Sequence, residues 1–254
     1  MENNIINNNK TTSKETISKQ TIHRLVKDIT DIHKNPLSDN GIYYFHDEVD
    51  MLKGYAMIIG PVDTPYYGGF YFFEFEFPYN YPFSPPKLTY QTNNGHVRFN
   101  PNLYTSGKVC ISILNTWHGD QWSSCQTITS ILLTLCTILN ENPLLNEPGI
   151  RTNHIDIPNY NRIIRYSNLS IAVCDMMNKT RLLPQFLIFY DIMKESFLKK
   201  YDTFLEIIDL YLYDENETDK IFNVGFYNLK VLVDYKSLKD KIQQCKNICV
   251  INCC

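Results

Sequence analysis

The sequence contains no run of lysine and arginine longer than a pair, and its formal net charge is −3. Proteins that bind nucleic acids usually carry a basic patch that neutralises phosphate groups. No such patch can be read from this sequence. We therefore do not expect nucleic acid among the partners.

Long apolar runs are also absent. The first twenty residues are polar and lack the apolar core of a signal peptide. The most apolar stretch, SILLTLCTIL at 130–139, is about half as long as a bilayer-spanning helix and is interrupted by threonines. We expect no membrane association and a disordered tail over residues 1–18. The expected location is the cytoplasm, and the nucleus is left open.

The composition is that of a globular protein, with 44% hydrophobic, 13% aromatic and 20% charged residues. A chain of 254 residues can form one large domain, or a domain of about 150 residues with an extension. The eight cysteines, with no secretion signal before them, indicate a reducing compartment and free thiols. Each cysteine therefore has to be considered separately.

The pattern of apolar residues predicts an α+β fold. Residues 19–34 place their apolar side chains on one helical face: Ile22, Leu25, Val26, Ile29 and Ile32. Strand-like runs follow, and in GGFYFFEFEFP the alternate aromatic side chains from 71 to 77 share one face. A central helix is predicted next, with Ser123 or Ser124 as its N-cap.

Residues 158–212 and 235–250 also follow helical patterns, with the polar segment DENETDK between them. The expected plan is a core over residues 19–175, in which helices flank an antiparallel β-meander. A mostly helical extension follows over residues 176–254. Its apolar faces favour packing on the core, although a role in partner binding is also open.

Cys110 lies in the segment NPNLYTSGKVCISILNTW, between a glycine-lysine turn and a short apolar strand. From the residues alone, it can be a nucleophile, a metal ligand or a small buried side chain. Burial is the commonest state of a free cysteine. A papain-like site would need the nucleophile in another sequence context, together with distant histidine and asparagine residues, and nothing here matches that context.

Four cysteines lie near the carboxy terminus: Cys245, Cys249, Cys253 and Cys254. Their spacing fits one helix face and lacks the closely spaced pairs of a structural zinc site, so we expect no metal. The final NCC also has the form of a terminus that accepts two prenyl chains. The alternative is an amphipathic terminal helix that is rich in cysteine.

Several motifs occur in a fixed order: GPVDTPYYGG, FPYNYPFSPPK, NPN, the turn that ends at Cys110, and Trp122. Together they resemble the catalytic core of ubiquitin-conjugating enzymes, in which an asparagine precedes the active cysteine by eight residues. Here Asn102 precedes Cys110 by eight. The segments VRFNPN, ENPLLNEPG and AVCDMM are similar to the large enzymes of the Z type. Asn100 stands where the general family has histidine.

The resemblance implies that Cys110 accepts ubiquitin, or a ubiquitin-like modifier, from an activating enzyme as a thioester. It also implies transfer of the modifier to a substrate lysine or to a ligase. Asn102 would support the developing oxyanion or tie the loop. Asn146 or Glu147 would orient the incoming lysine, although Glu147 can equally be a solvated loop carboxylate. No cofactor is implied, because ATP is used by the activating enzyme.

The implied partners are the modifier, an activating enzyme, ligases and substrate proteins. Arg24 and Lys27 on the first helix correspond to the surface that contacts the activating enzyme. Phe83 matches the apolar ligase anchor, and an exposed aromatic residue is a plausible binding hot spot. Ser124, with Cys125, replaces a proline-alanine pair in the second ligase loop. The alternative function is a catalytically silent scaffold or regulatory ubiquitin-binding protein on the same fold.

Overall fold

The computed structural model of this chain describes residues 16–251. Its centre is an antiparallel sheet of four strands in sequence order. The strands are β1 (Ile42–His46), β2 (Lys53–Ile59), β3 (Phe70–Glu76) and β4 (Lys87–Tyr90). The predicted β-meander, and with it the α+β class, is confirmed.

Among the described residues, one α-helix precedes the four strands in the sequence and four follow them. They are α1 (Lys19–Lys34), α2 (Ile128–Ile138), α3 (Ile157–Ser167), α4 (Tyr190–Leu212) and α5 (Tyr235–Ile251). A π-helical segment, Asn168–Asp175, continues directly from α3. A 3-10 helix, Pro184–Phe189, leads into α4. The helical character of the extension is confirmed, with one exception.

The exception is a β-hairpin between α4 and α5, which the sequence pattern did not predict. Strand β5 (Lys220–Val224) pairs with β6 (Leu229–Val233). Ile221 and Leu232 are apolar although they are exposed, so neither strand shows a clean alternation of apolar and polar residues. The turn ends at Asn228, whose φ of 49° lies in the left-handed region that asparagine tolerates.

Two predicted details of the helices are wrong. The N-cap of α2 is Thr127, because Thr127 and Ser130 hydrogen-bond each other's backbone N–H in a capping box. On α1, Ile22 and Val26 are exposed, whereas the buried face includes Leu25 and Ile32.

The predicted tail over residues 1–18 ends at Ser18. The side chain of Ser18 caps α1 by accepting a hydrogen bond from the backbone N–H of Thr21. Residues 1–15 lie outside the described part of the chain.

The extension packs on the outer face of the sheet through a cluster of aromatic side chains. Phe186 lies against Phe72, with ring centroids 4.8 Å apart, and against Tyr55 at 5.9 Å. Phe189 lies 5.1 Å from Phe45. We call these five residues the outer aromatic cluster. The sheet is therefore covered on both faces, which explains why Phe72 is buried although it alternates with Tyr71 and Phe73.

Candidate functional site

The site is built on an irregular loop that follows β4. Leu103 and Val109 form an isolated antiparallel bridge, which brings the two ends of the loop together. The loop turns at Gly107, whose φ is 87°. An added Cβ there would lie 3.1 Å from the side chain of Thr89 and from the carbonyl oxygen of Tyr90. Glycine suits this turn because it adopts positive φ without steric cost.

Asn102 and Cys110 are joined in both directions across this loop. The backbone N–H of Cys110 donates to the carbonyl oxygen of Asn102 at 2.8 Å. The side-chain Nδ2 of Asn102 donates to the carbonyl oxygen of Cys110 at 2.6 Å. The spacing of eight residues is thus the spacing of a paired turn. It places the amide of Asn102 directly against the backbone of the cysteine.

The backbone beyond Cys110 is held by Thr116, a residue that the sequence did not single out. The Oγ1 of Thr116 accepts from the N–H of Ile111 at 3.0 Å and donates to the carbonyl oxygen of Val109 at 3.1 Å. Cys110 is only 2% exposed. Thr116 lies in the segment quoted above for Cys110, but its residue type alone did not mark it as a support for the loop.

Asn102 is buried, and its two amide atoms differ in their surroundings. Nδ2 is used by the carbonyl oxygen of Cys110, whereas Oδ1 has no hydrogen-bond partner among the described residues. A buried acceptor without a partner costs about 1–3 kcal/mol. The observed geometry is that of an amide that ties the loop. Support of an oxyanion stays a prediction.

Asn100 fills its position with four hydrogen bonds. Its Nδ2 donates to the hydroxyl oxygen of Tyr66 at 2.8 Å and to the carbonyl oxygen of Ile138 at 2.7 Å. Its Oδ1 accepts from the N–H of Asn102 at 3.0 Å and from Nδ2 of Asn146 at 3.4 Å. Asparagine can fill this place because it offers two donors and one acceptor oxygen on a short side chain.

Asn146 and Glu147, one of which was predicted to orient the incoming lysine, have different surroundings. Asn146 is part of the scaffold, since its Nδ2 donates to the carbonyl oxygen of Ile138 at 2.9 Å and its Oδ1 accepts from Asn140 at 2.8 Å. Glu147 is half-buried, and its Oε2 accepts a hydrogen bond from the hydroxyl of Tyr227 at 2.6 Å. Glu147 is therefore not a freely solvated carboxylate.

Tyr227 belongs to the hairpin of the extension and was not predicted as a site residue. Its pKa is raised, first by burial and then by the hydrogen bond to Glu147. The guanidinium of Arg98 lies between the rings of Tyr227 and Tyr104, at 4.5 and 3.9 Å from their centroids. Cation–π contacts of this kind favour a fixed position for all three side chains.

Comparison with known proteins identifies the family. The family model described as ubiquitin-conjugating enzyme matches residues 24–162. This range contains the whole sheet, Asn102, Cys110 and Glu147. The chain belongs to the ubiquitin-conjugating enzyme family. The predicted recognition is therefore confirmed, and the joined Asn102–Cys110 loop lies within the matched range.

Relatives of the Z type extend the similarity beyond the core. The chain is 44% identical to human ubiquitin-conjugating enzyme E2 Z over 191 residues, which cover 74% of this chain and 53% of the human protein. It is 38% identical to the Xenopus tropicalis E2 Z over 234 residues, or 90% of this chain and 72% of that protein. The chain spans about half the length of the human relative.

A shorter match links the core to a much larger protein. The human dual E2 ubiquitin-conjugating enzyme/E3 ubiquitin-protein ligase BIRC6 is 43% identical over 123 residues. These residues make up 45% of this chain and 2% of that protein.

Arg24, predicted to bind the activating enzyme, is engaged within the chain. Its Nε donates to Oδ1 of Asp28 at 2.8 Å. Its terminal nitrogens donate to the carbonyl oxygens of Ser124, at 2.6 Å, and of Gln126. Arg24 thus fastens α1 to the turn before α2. Lys27 is exposed on α1, so it remains accessible to a partner.

The two predicted ligase loops are brought together. Phe83 is 61% exposed, and Ser124 is also exposed. The indole Nε1 of Trp122 donates to the carbonyl oxygen of Pro82 at 2.7 Å, which joins the proline-rich loop to the loop before α2. This hydrogen bond joins the two loops, and the partners that bind them stay a prediction.

Residues outside this site add little chemistry. Across residues 16–251, no set of three or more histidine, cysteine or acidic side chains is grouped as metal ligands would be. No helix in the same range has the length and apolar character to cross a membrane. Cys253 and Cys254, to which the prenylation hypothesis refers, lie outside the described residues.

Proposed function

We propose that this chain is an active ubiquitin-conjugating enzyme whose nucleophile is Cys110. The observation that supports this most directly is the paired hydrogen bonding of Asn102 and Cys110 in a chain of this family. The family supplies the reaction class, and the loop geometry supplies the candidate residues. No bound cofactor is required, because ATP is consumed by the activating enzyme.

In the first step, the Cys110 thiolate attacks the carbonyl carbon of the thioester that joins the modifier to the activating enzyme. A new sulfur–carbon bond forms, the old one breaks, and the activating enzyme's cysteine leaves as a thiolate. The exchange is nearly balanced in energy, because one thioester replaces another. Geometry and access to the thiol therefore decide its rate.

In the second step, a deprotonated lysine amine attacks the carbonyl carbon of the Cys110 thioester. An amide bond forms, the Cys110 thiolate leaves, and the amine nitrogen loses its remaining extra proton to a base. Negative charge develops on the carbonyl oxygen during the attack. Asn102 holds the loop that presents this carbonyl, and Glu147 orients the lysine. A ligase cysteine can replace lysine as the acceptor.

The proposed partners are ubiquitin or a ubiquitin-like modifier, an activating enzyme, ligases and substrate proteins. Lys27 on α1 is the accessible contact for the activating enzyme, while Arg24 supports the same surface from within. Phe83 and Ser124 mark the ligase surface. We expect neither nucleic acid nor membrane among the partners. The cytoplasm, with the nucleus left open, is the proposed location. Free thiols are typical of a reducing compartment, and they occur at Cys110, Cys125, Cys136, Cys174 and Cys245.

The test is a thioester assay. The purified chain is incubated with ATP and ubiquitin, or a ubiquitin-like modifier, and with each of several activating enzymes. The products are compared on reducing and nonreducing gels. We expect one reducible adduct with wild type and none with Cys110→Ala. Cys110→Ser should trap a more stable oxyester. Cys125→Ala, which removes an exposed cysteine nearby, should load normally.

Failure of the folded wild-type chain to load with any combination would favour the catalytically silent scaffold. An adduct that persists in Cys110→Ala would place the nucleophile at another cysteine. Circular dichroism and thermal unfolding of each variant show whether the compared chains are folded.

A further inference from the structure

The tip of the hairpin between β5 and β6 reaches the loop that follows α2. The hydroxyl of Tyr227 donates to Oε2 of Glu147 at 2.6 Å, although the two residues are 80 positions apart in the sequence. The backbone N–H of Phe226 donates to Oδ2 of Asp156 at 3.0 Å. The ring of Tyr227 also packs against Tyr160, with centroids 5.9 Å apart. The tip is therefore held at three points.

The segment that carries Glu147 is hydrogen-bonded to the loop that carries Cys110. Nδ2 of Asn146 lies 3.4 Å from Oδ1 of Asn100. The same oxygen accepts from the backbone N–H of Asn102 at 3.0 Å. Asn102 in turn bonds Cys110 in both directions. The neighbour of Glu147 is thus connected to the candidate nucleophile through two asparagines.

A second connection runs through the ring of Tyr227. The guanidinium of Arg98 stacks between this ring and that of Tyr104. One terminal nitrogen of Arg98 donates to the carbonyl oxygen of Pro101 at 2.5 Å. Pro101 and Tyr104 belong to the same loop as Asn102. The hydroxyl of Tyr227 therefore contacts the segment that carries Glu147, while its ring is linked through Arg98 to the loop that carries Cys110.

We propose that Tyr227 is a positioning residue for transfer of the modifier to an amine. This inference rests on the proposed function and assigns part of the active site to the extension. The hydroxyl of Tyr227 fixes one carboxylate oxygen of Glu147. Among the described residues, no hydrogen bond occupies the other oxygen, Oε1, so it is available to an incoming lysine ammonium.

Fixing Glu147 should matter for amines and not for thiols. A lysine arrives as an ammonium, and a carboxylate held in one orientation can align it and accept its hydrogen bonds. A small thiol attacks as a thiolate and gains nothing from a neighbouring carboxylate. The ratio of the two transfer rates therefore reports on the positioning of Glu147, separately from the reactivity of the thioester.

The experiment uses the full chain, loaded with modifier on Cys110 and separated from the activating enzyme. Single-turnover discharge is measured with free L-lysine and, in parallel, with 2-mercaptoethanol, over a range of acceptor concentrations. The variants are Tyr227→Phe, which keeps the ring, Glu147→Gln, and the double variant. Tyr190→Phe is the matched control, because it removes another tyrosine hydrogen bond within the extension, to the carbonyl oxygen of Met177.

We expect Tyr227→Phe and Glu147→Gln each to slow discharge to lysine by about tenfold, the effect of losing one hydrogen bond to a charged group. The double variant should be no slower than the slower single variant, because both changes remove the same interaction. Discharge to 2-mercaptoethanol and loading should stay within about twofold of wild type. Tyr190→Phe should leave the ratio of amine to thiol discharge unchanged.

Normal lysine discharge by Tyr227→Phe would overturn the proposal, whether or not Glu147→Gln is slow. Parallel losses of thiol and amine discharge, with a lower melting temperature, would also overturn it by assigning Tyr227 a structural role only. Additive losses in the double variant would show that the two residues act independently. If wild type does not load, the proposed function fails, and this inference fails with it. Loaded wild type with an unaffected Tyr227→Phe rejects this inference alone.

Discussion

Replacement of Asn102 provides a direct test of how the nucleophile loop is held. Its Nδ2 donates to the buried carbonyl oxygen of Cys110 at 2.6 Å, while its Oδ1 has no partner among the described residues. Asn102→Ala removes the favourable hydrogen bond to the carbonyl oxygen of Cys110 and, at the same time, the unpaired buried Oδ1. Asn102→Asp has nearly the same shape as the native residue, but its carboxylate cannot donate to that carbonyl when ionised.

The magnitudes follow from these two atoms. Loss of the bond leaves the buried carbonyl oxygen of Cys110 unpaired at a cost of about 1–3 kcal/mol, and removal of the orphaned Oδ1 returns a similar amount, so the stability of Asn102→Ala should lie within about 1 kcal/mol of wild type. For a chain of this size, a difference of ~1 kcal/mol corresponds to a change of about 2–4 °C in melting temperature. Asn102→Asp should be less stable than Asn102→Ala, because it buries a carboxylate without a donor.

Two assays check this reasoning. Thermal unfolding should place Asn102→Ala within about 4 °C of wild type and Asn102→Asp below both. An Asn102→Asp variant as stable as wild type would refute the assignment of Nδ2 to the Cys110 carbonyl. Single-turnover lysine discharge should fall by about tenfold in Asn102→Ala, the equivalent of one hydrogen bond. A loss of about a thousandfold would instead mean that the amide supports the oxyanion directly.

Three further predictions follow. Phe186→Ala should lower the free energy of unfolding by about 3–5 kcal/mol in urea titrations, because it removes a buried ring. Ile188→Ala, at an exposed position of the same 3-10 helix, should change that free energy by less than about 1 kcal/mol. Equal effects of the two substitutions would contradict docking of the extension through Phe186. Brief treatment of the folded chain with a maleimide should label exposed Cys125 before buried Cys110, as read by peptide mass spectrometry, and the reverse order would contradict the burial of Cys110. Burial lowers the pKa of His46, so the folded state binds a proton at this residue less tightly than the unfolded state does. The free energy of unfolding should therefore decrease as pH falls through about 6.5. If wild type and His46→Gln lose stability with the same pH slope, His46 is not the cause.

The sequence predicted the centre of the site because that part is local. Asn102 and Cys110 are eight residues apart, and the turn between them makes the spacing itself informative. The four-stranded meander was also accessible, since each strand is followed in the chain by its neighbour. Local spacing thus accounts for the joined loop and the sheet, whereas the proposed role of Cys110 as nucleophile came from the resemblance to the family.

Contacts between distant parts of the chain were not accessible. Glu147 was identified from its neighbourhood, but its partner Tyr227 follows 80 residues later on a hairpin that the pattern did not predict. Arg24 was interpreted as a partner contact because the resemblance assigns the first helix to the activating enzyme. Its bonds to Ser124 and Gln126 cross about 100 positions of sequence, and no local pattern encodes them.

The outer aromatic cluster can be recognised from the residues of the strands alone. A sheet face that meets water favours polar residues, because contiguous exposed apolar patches promote association. Here Phe45, Tyr55 and Phe72 occupy that face and are covered by Phe186 and Phe189. In a related sequence, aromatic residues at the first three positions would therefore indicate a docked extension, and polar residues there would indicate a core that ends without one. This inference uses only the strands, so it can be made even when the carboxy-terminal half of the relative is too different in sequence to align.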